Sequence, residues 1–155
     1  MRLKVGFNQA DLSRALRKLE DLSRVLDVVG RPMMGECGQY MVMSAKRNFA
    51  EERDPAGKPW KPLKPATIKR KGSSRILFDT GALNRSIQVL ALDRDRVAVG
   101  PAYTEQKKGK WHQFGTEHIP ARPFLGFSEP RNDVERLKQI VIKHLRRGVR
   151  RVCRA

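Results

Sequence analysis

Apolar residues recur at three- and four-residue steps along three stretches of the chain and alternate with other residues along three shorter ones, so helices and strands are both expected. Leu3, Val5 and Phe7 alternate with Arg2, Lys4 and Gly6, which predicts a short strand over Arg2–Phe7. Asn8 or Asp11 can cap a helix running to about Val29, with Leu12, Leu16, Leu19, Leu22 and Leu26 on one side. Gly30 is placed to end that helix, and Pro32 suits the first turn of a second one. Along the second helix Met34, Cys37, Met41, Ala45 and Phe49 form a stripe, with Met33 and Tyr40 beside it. A methionine-rich stripe reads as adaptable core, or as a deformable contact towards a neighbouring subunit.

The character changes after residue 52. Asp54-Pro-Ala-Gly57 is a turn signal, and Pro59, Pro62 and Pro65 prevent regular structure between, with Trp60 placed to anchor the loop on the helices. Ala66–Lys71 is expected as a short helix, and Asp79-Thr80-Gly81 opens another over Ala82–Arg85, with Asp79 as its cap. Ser86–Leu92 and Val97–Val99, joined by the polar turn Asp93–Arg96, form the clearest hairpin, and apolar groups on both faces of the first strand predict cover on both sides. Tyr103–Phe114 is helical at its ends, with Lys107-Lys-Gly-Lys110 read as a flexible basic insertion. Ile119-Pro-Ala-Arg-Pro-Phe-Leu-Gly-Phe127 is too rigid for a helix and too apolar for a free loop, so it reads as a fixed elbow. Ser128 or Asn132 then caps a last helix with Val134, Leu137, Val141, Leu145 and Val149 on one stripe and Arg136, Lys143, Arg146, Arg147, Arg150 and Arg151 opposite.

The fold class that follows is α+β: a small antiparallel β-sheet built on a hairpin, packed by two N-terminal helices and a C-terminal helix. Its length of 155 residues suits one domain. That domain would comprise a strand and helical pair (1–52), a basic proline-rich loop with short helices (53–85), the hairpin, insertion and elbow (86–127), and the C-terminal helix (128–155).

Charge sharpens this picture. The chain is +17, and residues 53–86 and 129–155 hold most of the excess, +7 and +6. A field of that size calls for a polyanionic neighbour, with nucleic acid first, an acidic protein surface second and anionic lipid third; a solvated basic surface without a partner is the blander reading. Lys61, Lys64, Lys69, Arg70 and Lys71, with Arg146, Arg147, Arg150 and Arg151, are the candidate contacts to DNA or an acidic partner. Such residues neutralise phosphates without reading bases, so any contact with duplex DNA would be non-specific and salt-sensitive. Aromatic interleaving for single strands is nearly absent.

Little points to catalysis. Cys37 and Cys153 stand far apart with no second cysteine at metal-ligand spacing, so neither a disulfide scaffold nor a zinc site is expected. His112, His118 and His144 lack further ligands at useful spacing, no glycine-rich phosphate loop is present, and no nucleophile elbow supports Asp79, Ser86 and a histidine as a triad. Catalytic residues, metal and cofactor are all expected to be none. No apolar run approaches the roughly 20 residues that span a bilayer, so no membrane partner is expected, and the chain reads as made in the cytoplasm.

From about Ser44 to Leu145 the order of landmarks resembles the phage virion morphogenesis (tail completion) family. The series is Phe49, Asp54-Pro-x-Gly57, Trp60-x-Pro-Leu63, the basic helix near Thr67–Lys71, Ile76-Leu-x-Asp-Thr-Gly81, Leu83 with Ser86-Ile87, the hairpin, Gly100-x-x-Tyr103, His112-Gln-Phe-Gly115 and Ile119-Pro-Ala-Arg-Pro-Phe-Leu-Gly126. The family usually runs directly from the Gly-x-x-Tyr step into the histidine motif, whereas Glu105–Lys110 is longer and more basic here. The resemblance implies a non-enzymatic virion component at the neck or head-proximal end of the tail, made in the host cytoplasm. It implies a homo-oligomeric ring, a hexamer matching the tail tube, whose partners are the head connector or neck proteins and the tail tube or tail terminator. Motif positions carried over are Trp60, Asp79, Gly81, His112, Phe114, Gly115, Arg122, Pro123 and Phe124. Trp60, Arg122, Pro123, Phe124, Lys107, Lys108 and Lys110 are the candidate subunit or partner interface, with Arg122 expected to be fixed by a carboxylate or by carbonyls, within or between subunits. A free non-specific nucleic-acid-binding protein is the alternative.

Overall fold

The computed structural model describes residues 8–152, so the strand expected over Arg2–Phe7 lies outside the described residues. One helix, α1, runs unbroken from Gln9 to Glu51, capped by Asn8, whose side chain accepts from the Ala10 N–H at 3.0 Å. The two N-terminal helices expected from Gly30 and Pro32 are therefore a single element. Gly30 does not end the helix; it lets the hairpin turn approach. A Cβ on Gly30 would lie 2.4 Å from the main-chain oxygen of Arg94. Pro32 sits on the exposed side and removes one helix hydrogen bond, a loss of roughly 3 kcal/mol. The buried contacts of Val29, Met33 and Cys37 on either side of it hold the helix together. Gly30→Ala is expected to destabilise the protein by about 1–3 kcal/mol, because overpacking against fixed backbone outweighs the ~1 kcal/mol gained in helix propensity. Urea unfolding would show it, and a stabilised variant would contradict the close approach.

The hairpin comprises β1 (Ile87–Leu92) and β2 (Val97–Pro101), antiparallel, with Ile87 opposite Pro101 and Leu92 opposite Val97. The register shifts between Val89 and Ala91, so a bulge at Leu90 turns Leu92 inward in place of Ala91. Among the described residues the strand is covered on the side facing α1, and Leu90 is left exposed, contrary to the two-sided cover expected from its apolar pattern. The core joins Val42, Ala45 and Phe49 of α1 to Trp60, Ile76, Leu83, Ile87 and Phe124.

Shorter elements fill the middle. The left-handed Glu52 ends α1, and α2 (Pro65–Lys71) interrupts the proline-rich loop. α3 (Ala82–Arg85) starts at Gly81, and Thr80 rather than Asp79 offers its oxygen to the Ala82 N–H, at 3.3 Å. The basic insertion is not a flexible loop: after a 3-10 turn at Tyr103–Glu105, α4 runs continuously from Gln106 to Phe114. Gly109 is what lets it dock, because a Cβ there would lie 2.7 Å from the Pro101 ring.

The last helix, α5 (Asp133–Val152), packs along α1. Its buried line passes through Asp133 and Gly148, with Leu137, Val141 and Leu145 half-buried, while Val134 and Val149 of the expected stripe are exposed. Asp133 anchors its start, accepting from Tyr40 Oη at 2.7 Å, Ser44 Oγ at 2.6 Å and the Ser128 N–H at 2.8 Å. Midway along, Lys143 and His144 both engage the Glu36 carboxylate, the latter at 2.8 Å. The family of described elements is thus α+β with five α-helices and a two-stranded sheet, but the hairpin and α5 both pack on one long helix.

Candidate assembly and nucleic-acid interfaces

The elbow at 119–127 is assembled from polar groups spent on main chain. Phe124 is fully buried against Phe49, ring centroids 5.0 Å apart, and Phe49 meets Trp60 edge-on at 5.7 Å. The Trp60 Nε1–H donates to the Pro123 oxygen at 2.8 Å, and Asn48 Nδ2 donates to the Phe124 oxygen at 3.0 Å. Gln113 clamps the next step: its Oε1 accepts from the Phe124 and Leu125 N–H groups, both at 3.1 Å, and its Nε2 donates to the Leu125 oxygen at 2.9 Å. Neither Asn48 nor Gln113 stood out as an organiser in the sequence. The available signals were an asparagine set between Ala45 and Phe49 on an apolar stripe, and a glutamine inside the histidine motif.

Arg122 resolves in favour of carbonyls within its own chain. Only 6% exposed, it donates from Nε and Nη2 to the Lys61 oxygen at 3.0 and 2.9 Å, and from Nη2 to the Pro62 oxygen at 3.4 Å. That fork fastens the proline-rich loop to the elbow. The Arg122 N–H also donates to the His112 oxygen at 2.7 Å. Burial, and then the nearby Arg122 charge, push the His112 imidazole below its usual pKa. Trp60, Arg122 and Phe124 are thus taken up inside the chain, and Pro123 is half-buried beside them.

The basic segments meet at two places. An open cleft of about 880 Å³ has Lys61, Lys64, Arg70 and Lys71 along one wall, Lys108 and His112 along another, and Arg122 within it. The proline-rich loop and α4, distant in sequence, therefore share one cationic cleft. Asp79, Glu105 and Glu117 also line it and offset part of the charge, Glu105 pairing with Lys108 at 3.3 Å, and Lys107 lies over the Trp111 ring at 5.2 Å. Lys69 and Lys110 are exposed outside the cleft. The second place is α5. Arg146, Arg147 and Arg150 line a shallow groove of about 250 Å³, which shares Gln139 and Lys143 with a neighbouring one of about 510 Å³ lined by Arg47, Arg131 and Arg136. Arg47 and Arg131 extend this ridge beyond the residues singled out in sequence, because packing of α5 on α1 brings Arg47 alongside, and Arg131, in the turn before α5, is held there by Glu51 at 3.2 Å. Arg151 is exposed but lines neither groove.

The comparison with known families settles what kind of molecule this is: residues 8–146 match the model of the phage virion morphogenesis family. The chain belongs to that family. The match takes in almost all the described residues, from the start of α1 to late in α5, so the fold just described is the family's domain in this chain. Among curated proteins, the chain is 28% identical over 145 residues to Mu-like prophage FluMu G protein 1 of Haemophilus influenzae, covering 87% of this chain and 91% of that protein. No solved structure matches the chain. A member of this family has a phage morphogenesis role, and its landmark residues here build the scaffold: the tryptophan, histidine and arginine–proline–phenylalanine motifs converge on the elbow.

Proposed function

We propose that this chain is a non-enzymatic virion protein that completes the phage tail and joins it to the head connector, acting as a ring, a hexamer matched to the tail tube. The observation that carries the reading is the use made of the family's landmarks. The landmarks Trp60, Gln113 and Arg122, with Asn48 beside Phe49, direct their polar atoms to main-chain groups of the elbow and the proline-rich loop, which suits a rigid wedge rather than a reactive centre. The partners are further copies of the chain, the head connector or neck proteins, and the tail tube or tail terminator. The surface shaped by the elbow, where Phe114 and Phe127 are exposed, is the partner-facing side, with Lys107, Lys108 and Lys110 of α4 beside it. In a ring the cationic cleft or the α5 ridge would face passing duplex DNA, held by phosphate contacts loose enough to release it.

The test is inactivation of the gene in the phage genome that carries it. Filled heads and tails without a completed head-proximal end should accumulate unjoined in electron micrographs, and supply of the intact chain should restore joined particles. Normally joined infectious particles would sink the reading. The ridge formed by Arg131, Arg136, Lys143, Arg146, Arg147 and Arg150 favours a second reading, a free non-specific nucleic-acid-binding protein. Joined particles from the inactivated genome, together with tight, salt-sensitive binding of duplex DNA by the isolated chain, would favour it.

A further inference from the structure

The N-terminal half of α1 carries an apolar face that the other described residues leave bare. Val25 and Val29 are covered where Gly148 of α5 lies against them. Beyond that point the same helix side shows Leu26 at 36% exposure, Leu22 at 49%, Leu19 at 62%, Leu16 at 51% and Leu12 at 49%. The face is the direct continuation of the core-facing side. Leu12, Leu19, Leu26 and the buried Met33 follow at seven-residue steps, as do Leu16 and the buried Cys37 at a multiple of seven. Residues Gln9–Leu22 project about 21 Å at 1.5 Å per residue. A helix of that length is marginal in water on propensity alone and draws its stability from a packed apolar face.

Charge selects the occupant. The whole chain is +17, so copies repel one another over most of their surface. Gln9–Asp27 is different: Arg14, Arg17, Lys18 and Arg24 are balanced by Asp11, Glu20, Asp21 and Asp27. Two of these pairs already close within the helix, Arg14 with Asp11 at 3.5 Å and Arg24 with Asp21 at 3.7 Å. Asp27 also meets Arg94 of the hairpin turn, and Arg147 and Arg150 flank Gly148 where it reaches Val25, so the positive field rises towards Leu26. Leu12–Leu22 is the part that is both apolar on one side and close to neutral, where two strongly basic molecules approach with the least like-charge penalty. The spacing of Leu12, Leu16, Leu19 and Leu26 also matches the alternating four- and three-residue steps by which helices interlock side by side.

We propose that the leucine face of Gln9–Leu26 is a self-association surface, packed in the assembled protein against the same face of a second copy of this chain. It rests on the ring reading for self-association alone, since like faces that pair join two copies and another surface must close the ring. Sedimentation velocity of the full chain over a range of concentrations tests it, alongside Leu16→Glu/Leu19→Glu and the control Arg17→Glu on the opposite side of the helix. The intact chain and the control should associate. The double variant should sediment as a monomer, its association weakened roughly a hundredfold or more, with its near-ultraviolet tryptophan signal unchanged. A chain that stays monomeric at every concentration would overturn the proposal, as would a double variant that still assembles. So would a double variant that unfolds more easily than the intact monomer, because the leucines would then serve their own chain. Assembly that survives in the double variant removes this surface and leaves the ring reading intact. Joined particles from the inactivated phage genome remove the ring reading and leave the surface untouched.

Discussion

Phe124→Ala is expected to destabilise the protein by about 3–5 kcal/mol, which is a large share of the ~5–15 kcal/mol that holds a domain of this size together. The ring of Phe124 is fully buried, against Phe49 and through it Trp60. The cost of such a truncation depends on whether the surroundings can collapse into the space. Here they cannot collapse easily, because the Phe124 main chain is held on both sides, its oxygen by Asn48 and its N–H by Gln113. The backbone stays in place and the cavity stays open. Phe127→Ala, three residues on and 59% exposed, should cost well under about 1 kcal/mol. Urea denaturation of the two variants, read from the midpoint at constant slope, makes the comparison. Equal losses would mean that the elbow is not docked as described.

The second large effect is expected at Asp133. Asp133→Ala removes the acceptor for Tyr40, Ser44 and the Ser128 N–H at once, leaving three donors around a site with no exposure. A loss of about 3–5 kcal/mol follows, since each buried donor left without a partner costs roughly 1–3 kcal/mol and solvent or local shifts recover some of it. The pH dependence is a separate signature. Burial alone would raise the Asp133 pKa, but hydrogen bonds from Ser44, Ser128 and Tyr40, with the Arg131 charge, outweigh it and hold the carboxyl below its ordinary value. A carboxyl depressed in the folded state stabilises the fold fully above its unfolded pKa of about 3.9, and that contribution is lost as pH falls through the lower folded value. The intact protein should lose stability below about pH 4, and Asp133→Asn should flatten that decline while being less stable at neutral pH. Glu36 is lowered in the same direction, first by the Lys143 hydrogen bond and then by that of His144, but at 41% side-chain exposure its contribution is screened. An Asp133→Asn variant with an undiminished acid decline would show that the network is not what titrates.

Much of this was legible locally. The Asn8 cap, the turn at Asp54–Gly57, the hairpin with its polar turn, the basic helix after Pro65 and the anchoring of Trp60 all depend on residues a few positions apart, and those the structure shows as expected. Signals that carry two meanings were misread. Glycine followed by proline says "helix end" to a local reading, yet Gly30 exists for the approach of Arg94, 64 positions along the chain. Gly109 likewise reads as an interruption, though its missing side chain is what lets α4 lie on Pro101. The bulge at Leu90 reverses which residues of β1 face α1, a choice made by pairing with β2 and invisible in the alternation itself.

The candidate surfaces divide the same way. Composition, proline placement and periodicity are properties of neighbours in sequence, and they already establish that the chain is strongly basic, that its positive charge is concentrated in two segments, that the elbow is rigid, and that a leucine stripe runs along its first helix. Packing between distant segments sets the rest: Arg122 is spent on the carbonyls of Lys61 and Pro62, the proline-rich loop and α4 wall one cleft, Arg47 and Arg131 join the ridge on α5, and the other described residues leave the leucine stripe uncovered. Burial is set by where α5 and the hairpin stop along α1, and that stopping point is fixed by close packing between segments more than 60 residues apart.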